Sequence, residues 1–180
     1  MISEDYKRKA GLTPEQIADT IAQFYQKVDE AAQNTLKALA RDQHVLKCQK
    51  GCCACCLDDL TVTPAEVSLI RRDYPDVLNQ APHAAGQCAF LNEAGECRIY
   101  PARPYICRTH GLPLRWIDED EEGPFEERDT CELNHHLELS QLEQDQCFTL
   151  GVPELQLQKM NEITFPQTNR IPLRSLFSKH

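Results

Sequence analysis

Nine consecutive residues, Cys48-Gln49-Lys50-Gly51-Cys52-Cys53-Ala54-Cys55-Cys56, hold five of the ten cysteines in this chain. Cys52 and Cys55 have the two-residue gap that lets two thiolates of a tight knuckle face one metal ion, and Gly51 permits the turn into it. Cys48 is placed to join them. Cys53 and Cys56 repeat the same gap one residue later, so the run could seed two sites or leave one pair idle. Neighbours such as Cys55 and Cys56 diverge unless the backbone bends sharply. Burial as small apolar residues is the plain alternative, but five thiols in nine positions favour ligation.

Further along the chain, Cys88, Cys97, Cys107 and Cys131 join Cys48, Cys52, Cys55 and Cys56 to make eight candidate ligands. Cys147, beside Phe148, reads as a core or interface thiol. A centre made of thiolates carries excess negative charge, which nearby cations offset. Lys47, Lys50, Arg98, Arg103 and Arg108 all stand beside cysteines, and Arg103 and Arg108 are taken as the cations that support the site. His110, His135 and His136 have spacings compatible with mixed cysteine and histidine ligation, although surface histidines are the simpler reading.

The elements that must position these groups are only partly periodic. Thr13-Pro14-Glu15-Gln16 is a helix start with a capping box. Ile17, Ile21, Phe24, Val28, Ala31, Thr35 and Leu39 then form one stripe of a long amphipathic helix reaching about Leu46. No helix or strand period describes the cysteine run. Thr63-Pro64-Ala65-Glu66 opens a short helix that ends before Tyr74-Pro75, with Val67 and Ile70 inward.

Cys88 to Tyr100 reads as a small β-hairpin about Asn92–Gly95. A four-residue loop there puts Cys88 and Cys97 on one face, whereas a five-residue loop puts them on opposite faces. Residues 101–113 form a proline-rich strap carrying Cys107, and the acidic run Ile117 to Asp129 reads as a solvated loop. Leucines from 133 onward suggest two further short helices before an extended, partly basic tail. The expected fold is therefore mainly α: a single domain over 1–180, with an N-terminal helix (1–47), a cysteine-cluster region containing the hairpin (48–132), and C-terminal helices and tail (133–180).

Composition narrows the function. A 180-residue chain that is 41% hydrophobic supports one modest core. No secretory leader or apolar span of about 20 residues is visible, so a cytoplasmic protein is expected, in which thiols do not persist as disulfides. The formal net charge of −9 argues against nucleic acid or an anionic membrane surface as partner. The expected partner is a metal ion.

The run CQKGCCACC followed by CAFLNEAGECRIYPARPYICR resembles the bacterial cysteine-cluster proteins of the YkgJ type, a zinc- or iron-chelating family. The family pattern falls on Cys48, Cys52, Cys55, Cys56, Cys88, Gly95, Cys97, Ile99, Tyr100, Arg103, Pro104, Cys107 and Arg108. Ala89 stands where the family has proline, and Cys53 is an additional thiol. The resemblance implies chelation of zinc or iron with no assigned reaction. A flagellin lysine methylase resembles the same cysteine pattern, which implies an alternative: an iron–sulfur protein in electron transfer or in a protein-modifying enzyme. A third reading, a thiol–disulfide redox protein using Cys52 and Cys55, lacks the βαβ context such a motif requires. No nucleophile–base pair, phosphate loop or carboxylate pair appears, so no residue is given a catalytic role.

Overall fold

The computed structural model describes residues 11–48, 51–166 and 169–177. It divides into two compact units, one drawn from residues 1–24, 51–104 and 156–180, the other from 25–50 and 105–155. Helix α1 (Pro14–Arg41) contributes to both. Its start follows from the sequence. The Thr13 hydroxyl accepts from the Gln16 N–H at 3.2 Å while Gln16 Oε1 accepts from the Thr13 N–H at 2.8 Å, so two otherwise orphaned donors are satisfied reciprocally.

The first unit is built on α2 (Pro64–Asp73), α3 (Pro75–Leu78) and a two-stranded antiparallel sheet of β1 (Thr61–Val62) and β5 (Ile171–Pro172). The second capping box is also present, with Glu66 Oε2 accepting from the Thr63 N–H at 2.8 Å. Val67 and Ile70 point inward, and with Val62, Phe90, Ile99, Leu173, Leu176 and Phe177 they form the core. Burying each such side chain contributes roughly 1.5–3 kcal/mol. Phe90 and Phe177 stack with ring centroids 4.8 Å apart. Among the described residues, Ile171 to Phe177 thus contribute to the core, where an extended tail was expected. Leu173 and Leu176 lie on a 3₁₀ turn, capped by Phe177, that is too short to show periodicity.

The second unit holds the rest of α1, a short helix α4 (Tyr105–Thr109) and a three-stranded sheet ordered β3-β2-β4. Here β2 is Leu114–Asp120, β3 is Gly123–Asp129 and β4 is Phe148–Thr149. This sheet, with the pair β1 and β5, overturns the expectation of a mainly α fold. Strands make up 13% of a mixed structure with five α-helices among the described residues. The acidic run is a hairpin rather than a loop, turning at Glu121-Glu122 with Asp120 opposite Gly123. Its charges are part of the pairing. Arg115 and Arg128 stand directly opposite in register, and the Glu126 carboxylate bonds both guanidiniums, so a cross-strand repulsion becomes a bridged triad.

Four smaller expectations also change. Helix α1 stops at Arg41 instead of about Leu46, because Gln43 takes a left-handed conformation (φ 62°) and His44 N–H closes onto Leu39 O at 3.0 Å, a Schellman ending without glycine. On its stripe, Ala32 rather than Ala31 is buried. The Cys88–Tyr100 hairpin reduces to one bridge, Leu91 to Cys97, around a five-residue loop. Asn92 Oδ1 sets that loop by accepting from the N–H groups of Ala94 and Glu96 at 3.0 and 2.8 Å. Beyond Cys131 the first leucines sit on 3₁₀ turns, and one longer helix follows, α5 (Val152–Thr164). No helix of the described residues is long and apolar enough to cross a membrane.

Candidate metal centre

Among the described residues none of the ten cysteines is in a disulfide, and they divide between the units. Cys52, Cys53, Cys55, Cys56, Cys88 and Cys97 belong to the first, and Cys48, Cys107, Cys131 and Cys147 to the second.

In the first unit the cysteine run is folded by turns. Cys56 N–H donates to Cys53 O at 3.0 Å, and Cys88 N–H donates to Cys56 O at 2.8 Å. The second bond docks the Cys88 loop on the cysteine run. Cys88 and Cys97 each open a turn of their own, with Leu91 N–H on Cys88 O at 3.1 Å and Tyr100 N–H on Cys97 O at 3.3 Å. These turns keep the two cysteines close despite the five-residue loop. Cys53, Cys56, Cys88 and Cys97 all pack on the one apolar cluster around Phe90.

Burial pushes the Cys88 and Cys97 thiols up from the ordinary cysteine range, and each sulfur accepts a backbone N–H that opposes the rise, from Phe90 and Ile99 respectively. The two sulfurs also act on one another: charge on Cys88 raises Cys97 further. Cations pull the other way. Arg98 favours both thiolates, Arg103 favours that of Cys97, and Arg174 that of Cys88. Burial favours the protonated form of such thiols, and a metal held there would have to displace those protons.

The supporting cations are held firmly. Arg98 donates to the carbonyls of Ala89 and Ala81 and lies 5.3 Å over the Phe177 ring, while its Nε is buried with no hydrogen-bond partner. Arg103 lies 4.2 Å over the Tyr100 ring and donates to Tyr100 O at 3.2 Å. Arg174, in the C-terminal segment, pairs with Asp58 and donates to the carbonyls of His83, Ala84 and Gln87. It therefore ties the segment just after Cys56 to the loop just before Cys88. Sequence reasoning missed Arg174 and Asp58 because the clamp joins positions far apart in the chain.

In the second unit, Cys48 packs directly on Gly111. A Cβ at Gly111 would stand 2.7 Å from Cys48 Sγ and 3.1 Å from its Cβ, so glycine is what admits the cysteine. Fully buried Asn134 fixes this approach. Its Oδ1 accepts from Lys47 N–H at 2.8 Å and its Nδ2 donates to Gly111 O at 3.0 Å. Asn134 N–H also reaches Cys131 O at 2.7 Å, linking a third cysteine segment. Cys107 is half-buried on α4, and Cys131 is buried.

Arg108 sends its guanidinium to Asp29 at 2.5 Å and over the Tyr25 ring at 4.0 Å. His110 and His135 are exposed, as is His136, whose Nε2 meets Val45 O at 3.0 Å. Cys147 is buried with Leu39 and Leu142, and its thiol too is pushed up by burial. Among the described residues, no three cysteine, histidine or carboxylate side chains converge as placed on a point from which one ion would be held. The donor chemistry nevertheless fits a thiophilic metal. In the first unit Cys53, Cys56, Cys88 and Cys97 lie on a shared apolar surface, and Cys88 and Cys97 accept backbone N–H groups and have cations beside them.

No curated protein and no solved structure matches this chain. One family model does, over residues 47–147, under the description "CxxCxxCC: Putative zinc- or iron-chelating domain". That span is more than half of the 180 residues and contains all ten cysteines. The chain belongs to this family of cysteine-rich zinc- or iron-chelating proteins.

Proposed function

We propose that this protein is a non-catalytic chelator in which thiolates bind zinc or iron and the binding free energy holds together a centre poor in regular structure. The observation that carries the reading is the docking of Cys88 on Cys56 through a backbone hydrogen bond, with Cys97 on the same apolar cluster. Three cysteines remote in sequence would not be gathered there by chain connectivity alone. From the set named by the sequence, Cys52, Cys55, Cys56, Cys88 and Cys97 are proposed ligands of the first unit. Cys48, Cys107 and Cys131 are proposed ligands of the second. When bound, the metal supplies a positive centre that keeps the sulfurs deprotonated. The chain's own groups orient the sulfurs and offset their charge.

Anaerobic purification followed by elemental analysis and a visible spectrum tests this reading. A colourless protein with stoichiometric zinc supports a structural thiolate site. Iron with acid-labile sulfide and broad visible absorption replaces it with a cluster, the electron-transfer alternative. Absence of any stoichiometric metal under these conditions defeats chelation altogether.

A further inference from the structure

The register of the β2–β3 hairpin sorts its charges by face. Residues directly opposite in an antiparallel pair project on the same side, so Trp116, Asp118 and Asp120 share one face with Phe125, Glu127 and Asp129. Both cations of the hairpin, Arg115 and Arg128, lie on the other face and bind Glu126 there. The first face therefore carries four carboxylates and no cation. Among the described residues none of the four is in an ion pair, and Asp118, Asp120 and Asp129 accept only neighbouring backbone N–H groups, at 2.9, 2.8 and 2.8 Å.

The same face holds two aromatic rings, Trp116 opposite Glu127 and Phe125 opposite Asp118. Phe125 is 37% exposed and Trp116 half-buried, and among the described residues neither ring stacks on another or lies under a cation. Beside them the sheet is unfinished. Strand β4 pairs with β2 only at Leu114 and Arg115, and the last bond runs from Leu150 N–H to Arg115 O at 2.9 Å. From Trp116 to Asp120 the β4 side of β2 makes no further backbone hydrogen bond among the described residues.

We infer that this face and its open edge form a docking surface for an extended, arginine-bearing segment of a partner protein. The segment adds as a strand beside Trp116–Asp120, and its alternate side chains then lie over the aromatic face. A guanidinium suits that face, because it stacks on an aromatic ring and also pairs with a carboxylate. Edge strands are often guarded by charge, but guarding does not call for two unstacked rings on the face from which every cation is missing. A second copy of this chain is disfavoured by like charge: the formal net charge is −9, and residues 114–129 carry eight carboxylates against two guanidiniums. None of these groups is a proposed metal ligand, so docking and chelation stand or fall separately.

Trp116 is the only tryptophan, and its fluorescence reports on this face directly. Full-length protein is titrated with a short synthetic peptide alternating arginine with threonine, then with the lysine and glutamate counterparts. The arginine peptide should shift the emission saturably and bind about threefold tighter than the lysine peptide. Its affinity should fall about tenfold as salt rises from about 0.05 to about 0.5 M, and the glutamate peptide should not bind. D118N should weaken binding about threefold. E119Q makes the same charge change one residue along, on the opposite face, and should stay near wild type. Both positions are exposed, so neither substitution disturbs the core. Equal losses in D118N and E119Q, or emission unmoved by the arginine peptide, overturn the assignment. So does a saturable response to Ca2+ that blocks the peptide, which makes the face a cation site, or emission that depends on the concentration of the protein alone, which gives the face to a second copy.

Discussion

The N–H of Cys88 donates to the carbonyl of Cys56 at 2.8 Å, joining the cysteine run to a loop from a distant part of the sequence. Neither loop belongs to a ladder that would impose this contact. What holds them is outside both. Arg174 pairs with Asp58 and reaches three carbonyls between His83 and Gln87, and a planar guanidinium is suited to several acceptors at once.

Replacing Arg174 should therefore loosen the Cys88 loop before it affects anything else. R174A is expected to speed hydrogen exchange at the Cys88 amide, speed alkylation of Cys88 and lower global stability by about 1–3 kcal/mol. R174K should recover little, because one ammonium does not span the same acceptors. Exchange at Cys88 that is unchanged in R174A would show that the loop stands without the clamp.

Local signals were legible in the sequence, and remote ones were not. Both capping boxes, at Thr13 and Thr63, were readable because each is decided within four residues. The end of α1 was not, since Gln43 occupies a left-handed position usually given to glycine. The β2–β3 hairpin was hidden because its inward face carries Arg115, Glu126 and Arg128 instead of alternating apolar residues. At the candidate site, the cysteines were legible by type and spacing. Their grouping was not, because the Cys56–Cys88 contact joins segments far apart in sequence, and the loop before Cys88 is bonded by Arg174, which is remote from both.

Gly111 and Cys48 make a second, separable case. A methyl group at Gly111 would meet Cys48 Sγ at 2.7 Å and Cys48 Cβ at 3.1 Å, so the Cys48 side chain must shift to admit it. G111A should cost about 1–3 kcal/mol in urea unfolding, the usual range for overpacking. In a C48A background the nearer clash is gone, and the same substitution should cost distinctly less. Equal costs in both backgrounds would place the effect of G111A somewhere other than Cys48.

Asn134 holds the same approach by hydrogen bonds. N134A removes the partner of Lys47 N–H and of Gly111 O, two part-buried hydrogen bonds, and each such loss costs about 0.5–1.5 kcal/mol. N134D is the sharper probe. It keeps the acceptor for Lys47 but turns an oxygen toward the Gly111 carbonyl, so it should be no better than N134A despite its matching shape. Near-wild-type unfolding midpoints for N134D would mean that the Gly111 bond contributes nothing.

The charge triad of the β2–β3 hairpin predicts a pH dependence whose sign can be fixed. Hydrogen bonds from Arg115, then Arg128, hold the Glu126 carboxyl below the usual glutamate range. A carboxyl lowered in the folded state stabilises it above the unfolded value of about 4.3, and that contribution is lost as pH falls through the lower folded value. Protonation would leave Arg115 and Arg128 facing one another in register. The protection factors of the hairpin amides, that is hydrogen exchange corrected for its intrinsic pH dependence, followed from pH 6 downward at about 0.1 M salt, should fall once pH passes below about 4.3. In E126Q the hairpin should already be less protected at pH 6, and the loss of protection attributable to this carboxyl should be absent. A wild-type-like acid response in E126Q would assign it to another group.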